Sequence, residues 1–165
     1  MPERPSSAGV IRARTVAEFA DFAKLIDEYE RSLPEDLRHT EFAREIANIS
    51  AHYSVPHAAF VAVCEGAPAG CVALTLLGDD SAIVKKMYVR PAFRRHGVAR
   101  ALMATLTAYA RENGVARLVL DTARERLQAA YELYRSLGFR ECEPYGAVDY
   151  RCPTFMELRL DTTPE

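Results

Sequence analysis

The sequence lacks long hydrophobic runs and any strong excess of charge of one sign, and both absences limit what the chain can do. No stretch approaches the roughly 18–20 apolar residues of a membrane-spanning helix, and residues 1–15 lack the apolar core of a secretory signal peptide. The 21 basic and 23 acidic side chains give a formal net charge of −2, which argues against a broad nucleic-acid-binding surface. We therefore expect a cytoplasmic protein that binds neither membranes nor nucleic acid.

Cysteine is scarce and shows no metal-binding or disulfide pattern. The four cysteines form no C-x-x-C pair, and the histidines lack the spacing of a zinc site. Cys64 and Cys71 lie within apolar, strand-like runs, so we expect them to be small, reduced core residues. A chain of 165 residues can bury roughly two-thirds of the surface that it exposes when unfolded. It needs neither a disulfide nor a metal ion for stability, and no metal site is predicted.

The distribution of apolar residues predicts one mixed α/β domain over residues 9–162, preceded by a flexible leader over residues 1–8. No repeat, linker or low-complexity block interrupts it. The segments with helical spacing are 16–31, with Thr15 as N-cap, 35–49, 97–113 and 127–137. The segments typical of strands are 9–15, 58–65, 69–77, 81–89, 115–122 and 154–160, with further extended chain from Phe139.

The most informative stretch is MYVRPAFRRHGVARA, in which a predicted strand leads through a basic loop into a helix that begins at Gly97. The first N–H groups of a helix have no partners within it, and the helix dipole places partial positive charge there. Gly97 and Ala99 leave room for an anion near the backbone, while Arg94, Arg95 and Arg100 add charge. This arrangement favours a phosphate or pyrophosphate site, although an ordinary helix start beside solvated arginines has the same residues.

Two sequence motifs resemble those of the GCN5-related N-acetyltransferase (GNAT) superfamily. The run RRHGVA at 94–99 resembles its [Q/R]-x-x-G-x-[G/A] signature and follows a Tyr-Val-x-Pro strand end, as in that family. About thirty residues later, LYRSLGF at 133–139 resembles the second signature, L-Y-x-x-L-G-F. The run FMEL at 155–158 is similar to a closing strand of many bacterial, small-molecule-type members. The resemblance extends over residues 58–160.

The resemblance implies acetyl-coenzyme A (acetyl-CoA) as the acetyl donor, with no metal. It also implies a mixed, mostly antiparallel sheet of six or seven strands with one splayed parallel pair, flanked by about four helices. In the family, the pyrophosphate lies on the signature loop and the pantetheine arm lies along the preceding strand, like an added strand. The residues so implied for coenzyme binding are Met87, Tyr88, Val89, Arg94, Arg95, His96, Gly97, Val98, Ala99 and Arg100.

Acetyl transfer to an amine requires a proton acceptor for the amine, an oxyanion donor and a proton for the departing thiolate. Tyr134, in the second signature, resembles the general acid of many members, and a phenol with a pKa of about 10 stays protonated at neutral pH. The alternative is a core tyrosine on an amphipathic helix. The oxyanion donor would be a backbone N–H near Val89. Residues 82–84 lack the acid that many members carry, so no base is assigned, and Leu127 stands where many members have a coenzyme-side asparagine.

In this family the first two helices and the late strand connection usually shape the acceptor pocket. The resemblance therefore implies Tyr29, Glu45, Tyr53, Tyr145 and Tyr150 as lining residues, with Glu45 suited to a cationic amine. The alternatives are a solvated helix face for Glu45 and amphipathic cover of the sheet for the tyrosines. We expect acetylation of a primary amine on a small molecule. Acetylation of a protein lysine or N-terminus, and a non-catalytic acyl-CoA sensor, are the alternatives; relatives are commonly homodimers.

Overall fold

The computed structural model describes residues 8–78, 80–148 and 150–160, and a single mixed sheet runs through them. Its order is β1-β2-β3-β4-β5-β7-β6, in which β4 and β5 are parallel and the other neighbours antiparallel. The strands are β1 (Gly9–Arg12), β2 (Ala58–Cys64), β3 (Ala67–Gly78), β4 (Ser81–Val89), β5 (Arg117–Thr122), β6 (Arg140–Glu141) and β7 (Thr154–Arg159). This topology confirms the predicted mixed sheet with one parallel pair.

Helices cover both faces of the sheet. The helices are α1 (Val16–Ser32), α2 (Phe42–Ala47), α3 (Ile49–His52), α4 (Val98–Glu112) and α5 (Gln128–Ser136), with short 3-10 turns at Glu35–Leu37 and Pro91–Phe93. The strand β2 shows the two faces, because Phe60 packs with residues of α4 while Val61 packs with residues of α1. The predicted core cysteines are buried, Cys64 in the first of these layers and Cys71 in the second.

Residues at the ends of the long helices determine where these helices begin and end. Thr15 caps α1, since its hydroxyl accepts a hydrogen bond from the Glu18 amide while the Glu18 carboxylate accepts one from the Thr15 amide. This reciprocal pair is a capping box, which satisfies two amides that the helix leaves free. Gly114 has φ +76°, a conformation that favours glycine, and ends the turn after α4. The three helices predicted around residues 16–31, 97–113 and 127–137 are confirmed.

The prediction of one helix over residues 35–49 is wrong. The chain forms a 3-10 turn at Glu35–Leu37, becomes extended at Arg38, and then forms the short helices α2 and α3 with a break at Asn48. Leu37 is buried with Leu33 against Ala123, so its apolar character reflects a contact across the fold. Asparagine also competes for backbone hydrogen bonds and is a poor residue for a helix interior.

Two predictions concern membranes and the chain end. No helix among the described residues is long and apolar enough to cross a membrane. The predicted leader over residues 1–8 falls, apart from Ala8, outside the described residues.

Candidate functional site

The loop before α4 presents a row of backbone amides that lack partners. The N-cap Gly97 has φ +77°, and Arg95 has φ +67°. Throughout the described ranges, the amides of residues 95–100 form no hydrogen bond, and the first bond into the helix runs from the Ala101 amide to the Gly97 carbonyl. A Cβ placed on Gly97 would meet no atom within 4 Å. Unpaired amides at a helix N-terminus, reinforced by the helix dipole, form a site for an anion.

Basic side chains surround these amides. Four of them are exposed, so their side chains can reach a ligand from the solvent: Arg94, Arg95, His96 and Arg100. Arg94 Nε donates to the Val89 carbonyl at 2.9 Å, and Arg100 donates to a serine hydroxyl of α5 at 2.9 Å. The loop therefore offers exposed positive charge around a row of unpaired N–H donors, which suits a phosphate group.

The other residues predicted for coenzyme binding have buried or half-buried side chains that pack within the protein. Val98 is buried and Ala99 half-buried at the start of α4. Met87 and Val89 pack on the α4 side of the sheet, whereas Tyr88 packs on the α1 side. These residues can reach a ligand mainly through their backbone.

A gap opens between the parallel strands β4 and β5. Their pairing comprises three residue pairs and ends at Ile83 with Val119. Beyond that pair, β4 continues beside β3, and β5 continues beside β7. Between residues 84–89 and the end of β5, the structure therefore leaves one edge of β4 without a strand partner. An unpaired edge is a template for an extended ligand, and this edge leads directly to the α4 loop.

Tyr134 lies on α5, the helix that follows β5. Its ring packs edge-on against Phe139, with the centroids 5.7 Å apart, and 8% of the residue is exposed. Burial raises the pKa of its phenol, and Tyr29 and Asp121 raise it further. Tyr134 is thus both a core residue and a protonated hydroxyl that can donate.

Asp121 is the acidic residue at the gap, and sequence reasoning missed it. It lies on β5, two residues beyond the last pair with β4. Its Oδ1 accepts a hydrogen bond from the Tyr145 hydroxyl at 2.6 Å, and its Oδ2 accepts one from the Tyr150 hydroxyl at 2.7 Å. Two neutral donors hold the carboxylate in place, and each oxygen keeps a lone pair for a further donor. The signal was a lone acid in the apolar strand RLVLDT.

The two tyrosines that hold Asp121 stay protonated. Burial is the main reason that the pKa values of Tyr145 and Tyr150 are raised, and the carboxylate of Asp121 raises both further. The predicted lining residues Tyr145 and Tyr150 therefore lie at the gap, with Asp121 between them and the sheet.

The strand β4 carries a β-bulge opposite β3. Cys71 pairs with Tyr88 and Ala73 with Lys85, so β4 has one extra residue, Lys86. Lys86 has φ +60°, which is uncommon for a residue with a side chain. Bulges re-aim side chains and occur often beside functional sites.

Lys86 is buried and lies between two glutamates of the α1 side. Its Nζ is 3.2 Å from Glu45 Oε2 and 3.5 Å from Glu30 Oε1. The Tyr53 hydroxyl donates to Glu45, and His39 contacts Glu30. This arrangement corrects the expectation that Glu45 and Tyr53 line the acceptor pocket: Lys86 already neutralises Glu45, and Tyr53 is only 2% exposed.

Tyr29, the remaining predicted acceptor residue, does lie near the gap. It is half-buried, and its ring centroid is 6.0 Å from that of Tyr88 on β4. Burial raises its pKa most, and Glu30 and Asp121 contribute.

A cavity of about 920 Å³ opens on the same face of β5 as Asp121. Arg117 lines this cavity. Asp121 is four residues further along β5, and side chains an even number of residues apart on a strand lie on the same face. The β3–β4 turn and residues 141–145 form its other walls, including Tyr145, which also binds Asp121. Within the described residues, no group of three or more histidine, cysteine, aspartate or glutamate side chains could hold a metal ion.

A splayed parallel pair beside an anion site at a helix N-terminus is the arrangement that the two sequence motifs imply for an acyl-coenzyme A-dependent transferase. The sequence model of the Acetyltransferase (GNAT) family matches residues 22–139. The chain belongs to this family, as the two motifs had indicated, and it is an acetyl-CoA-dependent N-acetyltransferase.

Individual relatives agree with this assignment. An uncharacterized N-acetyltransferase of Schizosaccharomyces pombe is 30% identical over 161 residues, covering 96% of this chain and 97% of that protein. The N-acetylaspartate synthetase of Danio rerio is 36% identical over 107 residues, which are 61% of this chain and 38% of that protein.

Solved structures share the fold. A GNAT-family acetyltransferase from Staphylococcus aureus superposes with a TM-score of 0.80 at 17% identity, covering 94% of this chain and 100% of that one. YncA from Salmonella typhimurium, solved with acetyl-CoA, gives a TM-score of 0.69 at 22% identity over 97% of this chain and 98% of that one. The predicted fold class is confirmed.

Proposed function

We propose that this enzyme transfers the acetyl group of acetyl-CoA to a primary amine of a small molecule. The observation that carries the proposal is the row of unpartnered amides at residues 95–100, which lies at the end of the strand edge bordering the gap. With its diphosphate on these amides, the coenzyme would extend its pantetheine arm along the strand. The far end of that arm would lie between Tyr134 and Asp121. The thioester of the coenzyme supplies the activated acetyl group.

Different groups of the chain contact different parts of the coenzyme. The amides of residues 95–100 donate to the diphosphate, and Arg94, Arg95 and His96 offset its charge from solvent. The backbone of residues 87–89 lies along the extended arm. An N–H near Val89 serves as the oxyanion donor that acyl transfer requires.

Two side chains handle the protons. Asp121 binds the incoming ammonium and takes its proton, directly or through water, so that the nitrogen attacks with a free lone pair. Tyr134 stays protonated because burial raises its pKa, so it can donate a proton to the departing sulfur. The acid and the base are thus two different residues, and neither has to exchange roles during one turnover.

A small acceptor is supported by the name of the Danio rerio relative, N-acetylaspartate synthetase, which specifies a small acetylated amine.

The test is to follow release of free thiol from acetyl-CoA with panels of small amines and of lysine-containing peptides. We expect turnover with at least one small amine. Asp121→Asn should lower kcat/KM for that amine about 10²-fold without changing coenzyme affinity, whereas the surface variant Asp27→Asn should match the wild type. Turnover confined to peptides, or coenzyme binding with no turnover on any acceptor, would replace this proposal by a protein acetyltransferase or an acyl-CoA sensor.

A further inference from the structure

Lys85 is a cation on the opposite side of the gap from Asp121. The role proposed for it below rests on the proposed function. The last pair of β4 and β5 is Ile83 with Val119. Advancing two residues along each parallel strand leads to Lys85 and Asp121, at the same level and on the same face of the sheet. The gap is therefore bordered by an ammonium group on one strand and a carboxylate on the other.

Lys85 is half-buried and is not engaged elsewhere. In the part of the chain that the structure describes, no hydrogen bond or ion pair involves its Nζ, whereas the neighbouring Lys86 contacts two glutamates. Burial lowers the pKa of Lys85, with Lys86 acting in the same direction, and Glu45 and Asp121 oppose the change. A desolvated cation without a partner gains most from a ligand that brings its own negative charge.

The acids near Lys85 are held by other groups. Glu45 is 3.2 Å from the ammonium of Lys86 and accepts a hydrogen bond from Tyr53. Asp121 is held by hydrogen bonds from the hydroxyls of Tyr145 and Tyr150. The opposite charges of Lys85 and Asp121 therefore remain as two separate anchors, one for each end of a dipolar ligand.

We propose that the acceptor is an amino acid, whose ammonium group is bound by Asp121 and whose carboxylate is bound by Lys85. A zwitterion matches the two anchors and adds no net charge to the gap, whereas a simple amine would leave the Lys85 ammonium unpaired and next to a second cation. Lys85 then determines which amines are accepted, while Asp121 and Tyr134 act on any amine that reaches them.

The experiment compares free L-amino acids with their matched carboxamides, which keep the amine and lose only the negative charge. The wild-type enzyme should prefer an amino acid to its carboxamide by about tenfold or more in kcat/KM. Lys85→Met should raise KM for the amino acid by a similar factor with little change in kcat, and should leave KM for the carboxamide unchanged. Lys85→Arg should retain most of the preference, and the exposed Lys24→Met is the matched control.

Three outcomes separate the possibilities. Equal use of amino acids and carboxamides by the wild type overturns the role of Lys85 and leaves the acetyltransferase proposal intact. A Lys85→Met variant that loses both substrates equally shows a structural role and also overturns the inference. If no small amine is acetylated at all, the proposed function itself fails, and the inference fails with it.

Discussion

In the proposed mechanism Tyr134 is the acid and Asp121 is the base, and the surroundings of the two groups differ. Tyr134 is buried among apolar side chains, which disfavours its anion. Asp121 is held by two hydroxyl donors, which stabilise a carboxylate without supplying a positive charge. The difference in surroundings, more than the distance between the two groups, assigns their roles.

Replacing Tyr134 by phenylalanine removes the hydroxyl and keeps the ring contact with Phe139. We expect kcat to fall about 10²-fold, because the departing thiolate loses its proton donor, while the dissociation constant of acetyl-CoA changes little. A thiol-release assay measures kcat, and calorimetric titration measures the dissociation constant of acetyl-CoA. Tyr131→Phe, on the same helix, is the control and should keep full activity. An unchanged kcat in Tyr134→Phe would assign Tyr134 to the core alone.

At the scale of elements, α4 contributes its N-terminus and little else to the site. The sequence around Gly97 produces a left-handed residue followed by free amides, and the apolar face of α4 fixes that end against the sheet through Leu102 and Leu106. Gly114, at the other end of the same helix, has nearly the same φ, +76°, and equally open surroundings.

This pair of glycines permits a matched test of the anion site. Gly97→Val and Gly114→Val should each reduce the free energy of unfolding by about 1–2 kcal/mol, because both place a branched side chain at positive φ. Only Gly97→Val should weaken acetyl-CoA binding, by about tenfold or more, since its side chain enters the space beside the free amides. Chemical denaturation and coenzyme titration measure the two effects. Equal coenzyme affinity in both variants would refute the placement of the diphosphate.

At the scale of the whole molecule, the buried contacts of Lys86 join α1 and α2 to the centre of the sheet. Glu30 on α1 contacts both Lys86 and His39, and Glu45 on α2 contacts Lys86. Burial alone would raise the pKa of Glu30, but its hydrogen bonds with His39 and the charges of His39 and Lys86 outweigh burial and lower it. A lowered pKa in the folded state links stability to pH.

The direction of this pH effect is specific. Because the folded pKa of Glu30 lies below its ordinary value of 4.5, its contribution to stability is present above that value and is lost as the pH falls through the folded pKa. Wild-type protein should therefore lose more stability between pH 7 and about pH 3.5 than Glu30→Gln does. Urea denaturation at the two pH values measures the difference. The exposed variant Glu132→Gln should follow the wild type, and identical acid sensitivity in Glu30→Gln would exclude this role for the carboxylate.

Sequence reasoning succeeded where neighbours along the chain decide the structure. The capping residue Thr15, the helix start at Gly97 and the apolar spacing of α4 are local properties, and they predicted these elements within a residue or two. The helix predicted over residues 35–49 failed because the apolar Leu37 packs across the fold against Ala123. Periodicity alone does not distinguish such a contact from a helical face.

The two motifs were enough to predict the family, the anion loop and Tyr134 as the candidate acid, because each depends on residues close together in the chain. The position of Asp121 at the gap is visible only in the folded chain. Asp121 meets Tyr145 and Tyr150 through contacts that span 24 and 29 residues, and Lys86 meets Glu30 across 56. Such pairings depend on strand register and on a bulge in β4, which residues close together in the chain do not reveal.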